Sequence, residues 1–366
     1  MRHLILAAAF ATAGFLGGCA ENSDAAAQPA AEAPGAVAPE WAIIVHGGAG
    51  VIERGAMTEE REAQYRAAMQ QALDTGSAVL AAGGSSLDAI EAVIHEMEDD
   101  PLFNAGRGAV FTAAGRNELD ASIMYGADMQ SGAVAGVTNV RHPISLARAV
   151  MENSRHVMMQ GEGAETFAEE QDLELVDNSY FFTERRWASL ERSLTRQDLP
   201  IPPRPVGAPA PEEVEEGFLR RDALEHRFGT VGVVALDSNG DIAAGTSTGG
   251  TTAKRWGRVG DSPIIGAGTY ASNQSCGVSA TGTGEYFIRL TVASRICAYM
   301  EMQGLSLQEA SDRVIQDELT EMGGDGGIVA LAPDGQLAWS FNTPGMYRAK
   351  ANSEGVSVIG IYGDEE

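Results

Sequence analysis

Apolar positions along the chain follow three rhythms. Leu4 to Leu16 is an apolar run behind one basic residue, Arg2; it is too short to span a bilayer and has the form of a secretory h-region. Residues 20–40 lose all periodicity in Ala, Pro and Glu and read as a flexible tether. Regular patterning starts at Trp41, where Trp41-Ala42-Ile43-Ile44-Val45 predicts a buried strand entering the Gly-rich turn His46-Gly47-Gly48-Ala49-Gly50. A helix is predicted from about Thr58, with Glu59 and Glu60 in its first turn. A second begins near Ser85, where Asp88 completes a capping box and Leu87, Ile90, Ile94 and Met97 keep helical spacing. Residues 98–108 read as a loop and Leu119 to Met124 as a strand. Pro143 opens a helix with Leu146, Val150 and Met151 on one face.

From about Asp198 to Phe228 the pattern breaks again. Ile201-Pro202-Pro203-Arg204-Pro205 and Ala208-Pro209-Ala210-Pro211 exclude a helix or a central strand and predict a disordered Pro-rich linker over about 198–228. Beyond it Thr230 to Leu236 reads as a buried strand and Asp237-Ser238-Asn239-Gly240-Asp241 as a hairpin turn. Ile242 to Thr248 is the returning strand. Ile328 to Ala332, Pro333-Asp334-Gly335 and Leu337 to Phe341 repeat the motif. Between the two hairpins Ser306-Leu307-Gln308-Glu309 is a capping box for a helix with Val314 and Leu319 inward. Strands grouped with strands and helices with helices predict stacked sheets covered by helices.

Composition narrows the partners. The 366 residues are 44% hydrophobic and 21% charged, an ordinary globular balance with length enough for a large core. Asp and Glu number 51 against 25 Lys and Arg, a formal charge of −26, so a nucleic-acid backbone or an anionic membrane surface would repel the folded domain. No Cys-x-x-Cys or His-x-x-x-His spacing supports a zinc site. Cys276 and Cys297 are expected to be small buried apolar residues rather than a disulfide. Cys19 is different. Leu16-Gly17-Gly18-Cys19 resembles a bacterial lipobox, which makes 1–18 a lipoprotein signal peptide and Cys19 the lipidated residue. Ala20 after it points to the outer membrane, so an exported, periplasmic protein is expected, touching the membrane only through its lipid anchor.

Gly245-Thr246-Ser247-Thr248-Gly249 matches the nucleophile elbow of α/β-hydrolases, but chain order opposes it: that fold needs a histidine after the serine, and none follows His226. A base need not be a side chain. Cleavage before Thr230 would free an α-amino group of pKa roughly 7.7–8.0, able to take the proton of its own residue's hydroxyl. Gly229 leaves such a peptide bond unobstructed, and Thr248, ending the next strand, is placed to lie beside Thr230. Arg258 and Asp261 offer one cation and one anion three residues apart, suited to the α-carboxylate and α-ammonium of a free amino acid. Thr281-Gly282-Thr283-Gly284-Glu285 leads into a helix and offers a hydroxyl and N–H groups to an oxyanion.

These segments resemble the plant-type L-asparaginase/isoaspartyl peptidase family of N-terminal nucleophile hydrolases. The resemblance runs from about Trp41 to Tyr362 through Val45–Gly50, Pro101–Gly106, Gly132–Val137, Gly161–Glu165, Gly229–Gly232, Thr246–Gly250, Gly257–Pro263, Thr281–Glu285 and Phe341-Asn342-Thr343. It implies an α+β fold, a four-layer αββα sandwich, built from an α chain ending at Gly229 and a β chain starting at Thr230, with two αβ units forming a dimer. By the same resemblance Thr230 is the nucleophile and Thr248 its activator, while Thr281 and Gly282 form the oxyanion hole. Arg258 and Asp261 bind the substrate, with Gly284 assisting. No cofactor enters catalysis, but Met97, Glu98, Asp100, Phe103, Ala105 and Arg107 resemble a structural sodium loop made of backbone carbonyls. The implied activity is hydrolysis of isoaspartyl dipeptides and L-asparagine to L-aspartate. The alternatives are a glycosylasparaginase, which the family pattern associates with Asn where this chain has Gly249, and a non-catalytic lipid-anchored binding protein.

Overall fold

The computed structural model describes residues 39–55, 57–210 and 229–365. The signal peptide, Cys19 and nearly all of the tether lie outside them, as do residues 211–228.

The hairpin read from sequence is the centre of the molecule. Strands β5 (Val231–Leu236) and β6 (Ile242–Thr248) are buried on both faces. They pair antiparallel, with Val231 opposite Ser247 and Leu236 opposite Ile242. Alternation along them assigns the layers. Val231, Val233, Ala235 and Ala243 face a helical core, whereas Val234, Leu236, Ile242 and Ala244 face a second sheet.

With β1 (Ala42–Gly50), β2 (Leu119–Tyr125), β3 (Ser131–Val137), β4 (Met158–Gln160), β11 (Gly345–Asn352) and β12 (Ser357–Tyr362), the hairpin forms a sheet of order β12-β11-β1-β5-β6-β2-β3-β4. Only the β3–β4 pair is parallel. The second sheet has order β10-β9-β8-β7, made of β7 (Thr269–Ala271), β8 (Gly277–Gly282), β9 (Gly326–Leu331) and β10 (Leu337–Phe341). Helices α1 (Glu59–Ala81), α2 (Ser86–Asp99) and α3 (Pro143–Asn153) cover the large sheet, and helices spanning 284–319 cover the small one. This is the expected αββα sandwich.

The local signals hold. Thr58 caps α1, the Ser85 hydroxyl accepts the Asp88 N–H at 3.1 Å, and Ser306 and Glu309 form a reciprocal capping box. Leu87, Ile90, Ile94 and Met97 are all buried, as are Val314 and Leu319, although Arg313–Leu319 winds as a π-helix.

Two expectations are corrected. Cys276 and Cys297 form a disulfide, with Cα atoms 5.3 Å apart, tying the start of β8 to the helix Val292–Gln303 above it. The disordered linker expected over about 198–228 is corrected for residues 198–210, which are ordered. Over residues 198–210 the chain packs on α4 (Glu184–Arg196), where the Arg204 guanidinium forks onto Glu184 at 2.7 and 2.8 Å and stacks on Phe182, 4.8 Å from its ring centroid. Proline removes ladder hydrogen bonds, not side-chain packing.

Candidate active site

Thr230 and Thr248 stand at the matching ends of β5 and β6, on the side that faces the second sheet, because they continue the alternation of Val234 and Ala244. Their hydroxyls are 2.9 Å apart and both side chains are buried. Thr248 Oγ1 also accepts the Gly250 N–H at 3.0 Å. Ser247 points the other way, into the helical layer, and donates to the buried Glu98 carboxylate at 2.6 Å. The elbow-like pattern is therefore a straight strand whose serine is locked away from any substrate.

Gly229, the residue before Thr230, is held as well. The Gly229 carbonyl accepts the Asn104 N–H at 2.9 Å. The Asn104 carbonyl takes the Gly249 N–H at 2.9 Å, its Nδ2 donates to Gly250 O at 2.8 Å, and its Oδ1 accepts the Val110 N–H at 2.9 Å. Asn104 thus joins the Gly229 carbonyl to the turn after Thr248. A Cβ at Gly249 would lie 2.6 Å from Asn104 Oδ1 and 2.7 Å from Ala109 Cβ, so this junction requires glycine.

Beyond Gly250 lies the charged half. Asp261 is buried, and its Oδ2 has no hydrogen-bond partner. Burial pushes its carboxyl up to about 7 despite the pull of Arg258. Arg258 gives Nε and Nη2 to Glu285, each at 3.0 Å, while a Cβ on Gly250 would lie 3.5 Å from its Nη1. A Cβ at Gly284 would be 2.8 Å from Asp261 Oδ1 and 3.0 Å from Arg258 Nη2, so glycine lets the two charges converge. Thr281 and Gly282 end β8. Thr281 Oγ1 is buried without a partner, on the same strand face as Ser279 and so toward the large sheet.

Behind this layer runs a second one of hydroxyls, in which Thr246 and Ser279 each lie two residues along a strand from Thr248 and Thr281. His46 Nε2 meets Ser279 Oγ at 3.0 Å, and Ser279 meets Thr246 at 2.6 Å. Thr269 donates to Thr246 at 2.6 Å, and Ser122 donates to Thr269 at 2.8 Å. Burial pushes the His46 imidazole down to about 3, so it is neutral. Lys254 and Asp120 form a further buried pair, Nζ to Oδ2 3.9 Å, with Asp120 opposite Thr248 in register. Sequence reasoning gave no role to Asn104, the hydroxyl layer or this pair. Two of the four Asn104 bonds come from its backbone, which any residue type could supply, and Gly250, which its side chain reaches, is far away in sequence; the i, i+2 recurrence of Thr246 with Thr248 and Ser279 with Thr281 was the available signal for the second layer.

The loop suggested for sodium lies on the helical side and runs directly into Asn104. Pro101 has no N–H for the Met97 carbonyl, and the Leu102 N–H turns to Asp100 Oδ1 at 2.9 Å, leaving the Glu98 carbonyl without its helical donor as well. The Asp100 and Ala105 carbonyls accept N–H groups from Phe103 at 3.2 Å and Gly108 at 3.0 Å. Among the described residues no group of three His, Cys, Asp or Glu could hold a metal ion.

Comparison with known proteins gives one consistent answer. A family profile described as asparaginase matches residues 39–361. The chain is 45% identical over 320 residues to the isoaspartyl peptidase of Salmonella typhimurium, covering 87% of this chain and 98% of that one. It is 46% identical to the isoaspartyl peptidase of Escherichia coli, covering 87% and 95%. It is 40% identical to the plant-type L-asparaginase of Pyrococcus abyssi, covering 83% and 94%.

Proposed function

The chain belongs to the asparaginase family, and from that premise we propose that it cuts itself between Gly229 and Thr230 and then hydrolyses isoaspartyl dipeptides and L-asparagine, releasing L-aspartate. The observation that carries this reading is the buried, partnerless Asp261 oxygen beside Arg258, separated by Gly250 from the Thr230–Thr248 hydroxyl pair. A free aspartyl head fits it: α-ammonium on Asp261, α-carboxylate on Arg258, and the β-carbonyl toward Thr230.

In self-cleavage the Thr230 hydroxyl attacks the Gly229 carbonyl, and the Asn104 N–H stabilises the oxygen as it gains charge. The C–N bond breaks to leave an ester, and water releases the α chain from Thr230. The freed amine then serves as base, and Thr248 orients the hydroxyl. In turnover Thr230 attacks the β-carbonyl, with Thr281 and Gly282 assigned to the oxyanion. Ammonia or an amino acid departs, and water hydrolyses the β-aspartyl ester. Met97, Glu98, Asp100, Phe103, Ala105 and Arg107 would hold a sodium ion through backbone carbonyls, where its charge would stiffen the loop carrying Asn104; no step of the reaction uses it.

The crowding at Gly249 disfavours the glycosylasparaginase reading, since an asparagine there must displace Asn104. Two bands from the purified protein on a denaturing gel, with aspartate released from β-Asp-Leu, support the proposal. A single band with no turnover would favour the binding-protein alternative. We further propose export with lipidation at Cys19 and assembly of two αβ units. The Cys276–Cys297 disulfide favours an oxidising compartment. Cys19→Ser should move the protein from the membrane to the soluble fraction, and unchanged membrane association would overturn the anchor.

A further inference from the structure

Phe341-Asn342-Thr343 marks the chain's family likeness, yet none of the three enters the site described above. Asn342 lies just past the end of β10 and is half-buried, where all its side-chain hydrogen-bonding groups are used. Its Oδ1 accepts the Gly326 N–H at 2.9 Å. Its Nδ2 donates to Gly324 O at 3.0 Å and to Thr320 Oγ1 at 2.8 Å. Its own N–H donates to Gly326 O at 3.0 Å. Three of these four bonds close on one turn, Gly323-Gly324-Asp325-Gly326.

That turn touches the backbone assigned to the oxyanion. Gly326 is the register partner of Gly282, and Gly327 that of Thr281. Gly326 has φ +151, and a Cβ on it would lie 2.4 Å from Thr281 O and 2.6 Å from Gly282 Cα. A Cβ on Gly282 would lie 2.5 Å from Asp325 O. Asp325 O accepts the Thr283 N–H at 2.9 Å, and its carboxylate takes the Thr283 hydroxyl. The turn's glycines thus let the two segments approach closely, Asp325 ties the turn to Thr283, and Asn342 holds it from the other side with three hydrogen bonds.

We propose that Asn342 is a positioning residue for catalysis: by clamping the Gly323–Gly326 turn it sets the position of Thr281 and Gly282, and so the stabilisation of the oxyanion, without touching substrate. An amide is required because the turn presents an N–H and a carbonyl together; a carboxylate keeps the first bond and loses the second. Arg258 and Asp261 lie on a different segment and meet the turn's neighbourhood only at Gly284, so the effect falls on the chemical step more than on recognition.

The inference rests on the proposed reaction. The test compares mature parent, Asn342→Ala and Asn342→Asp for kcat and KM on β-Asp-Leu, and for the Kd of L-aspartate. The expected result is a fall in kcat of at least tenfold in Asn342→Ala and a smaller fall in Asn342→Asp, with KM and the aspartate Kd within twofold of the parent. If Asn342→Ala fails to fold or mature, Asn342→Asp alone decides by the same split. Activity within twofold of the parent, or kcat loss matched by equally weakened aspartate binding, overturns the inference. A parent inert on both β-Asp-Leu and asparagine overturns the reaction as well, so the two failures are distinguishable.

Discussion

Thr230 and Thr248 share a hydrogen bond, and Thr248 also takes the Gly250 N–H. Asp261, on the Arg258 side of the same site, keeps one buried oxygen without a partner. The hydroxyl half is neutral and already joined to the carbonyl it would attack, through Asn104. The charged half is incomplete until a ligand supplies an ammonium. The contrast follows from the two jobs. The proposed self-cleavage would happen once, within the chain, and would need its geometry before any substrate arrives. Recognition must stay unfulfilled so that binding the right head group relieves a buried, costly charge.

Removing the nucleophile breaks the hydroxyl half outright. Thr230→Ala should remain one uncleaved chain and lose at least ~10⁴-fold in amidase rate; normal α and β bands from this variant would refute the assignment. The charged half is probed by substrates rather than by cleavage. N-acetyl-asparagine amide lacks both charges and should react up to about 10⁴-fold more slowly in kcat/KM than L-asparagine, because both partners are left buried and unpaired. Arg258→Lys should mature normally yet bind poorly, since an ammonium cannot reproduce the guanidinium fork that also grips Glu285. Equal rates on the blocked amide would remove Arg258 and Asp261 from recognition.

The pH dependence sharpens the contrast. Asp261, raised to about 7 by burial, must be ionised to bind an ammonium, so kcat/KM falls as pH drops through that value. The Thr230 amine, with a pKa of roughly 7.7–8.0, must be unprotonated as well. The acid limb of kcat/KM should therefore involve two protons. That of kcat should involve one, because a bound ammonium keeps Asp261 ionised. A single proton in both profiles would detach Asp261 from binding. The smallest effect on chemistry is expected at the disulfide. Cys276→Ser should cost about 3 kcal/mol of stability for a loop of this size, measured by thermal unfolding of the uncleaved Thr230→Ala chain, yet in the parent background leave two bands and an unchanged KM in initial rates.

Which parts were legible in the sequence follows from what each part uses. The β5–β6 hairpin was readable because its Asn-Gly turn and β-branched run are local signals, and Thr248 follows from Thr230 by counting across that turn. Arg258 and Asp261 were readable because their chemistry is in their side chains. Asn104 was not, since the N–H it gives to Gly229 comes from its backbone, on a loop distant in sequence. The Cys276–Cys297 bond depends on how a helix settles over β8, which no spacing rule encodes. The proline-rich stretch misled because missing ladder bonds were read as missing structure, while Arg204 found Glu184 and Phe182 through its side chain.

The order of the large sheet has a consequence for the molecule's lifetime. Strands β1 to β4 precede Gly229 and β5, β6, β11 and β12 follow it, yet β1 lies between β11 and β5, and the β5–β6 hairpin lies between β1 and β2. Once the bond before Thr230 is cut, the two polypeptides are woven, and neither leaves without opening three ladders together. Unfolding is then slow, but its reverse has changed in kind. The precursor folds as one chain, in which local connections bring partners together; the mature pieces would have to meet by diffusion. The proposed processing would make folding a one-way event, and the working enzyme would then be protected by a half-life rather than by an equilibrium.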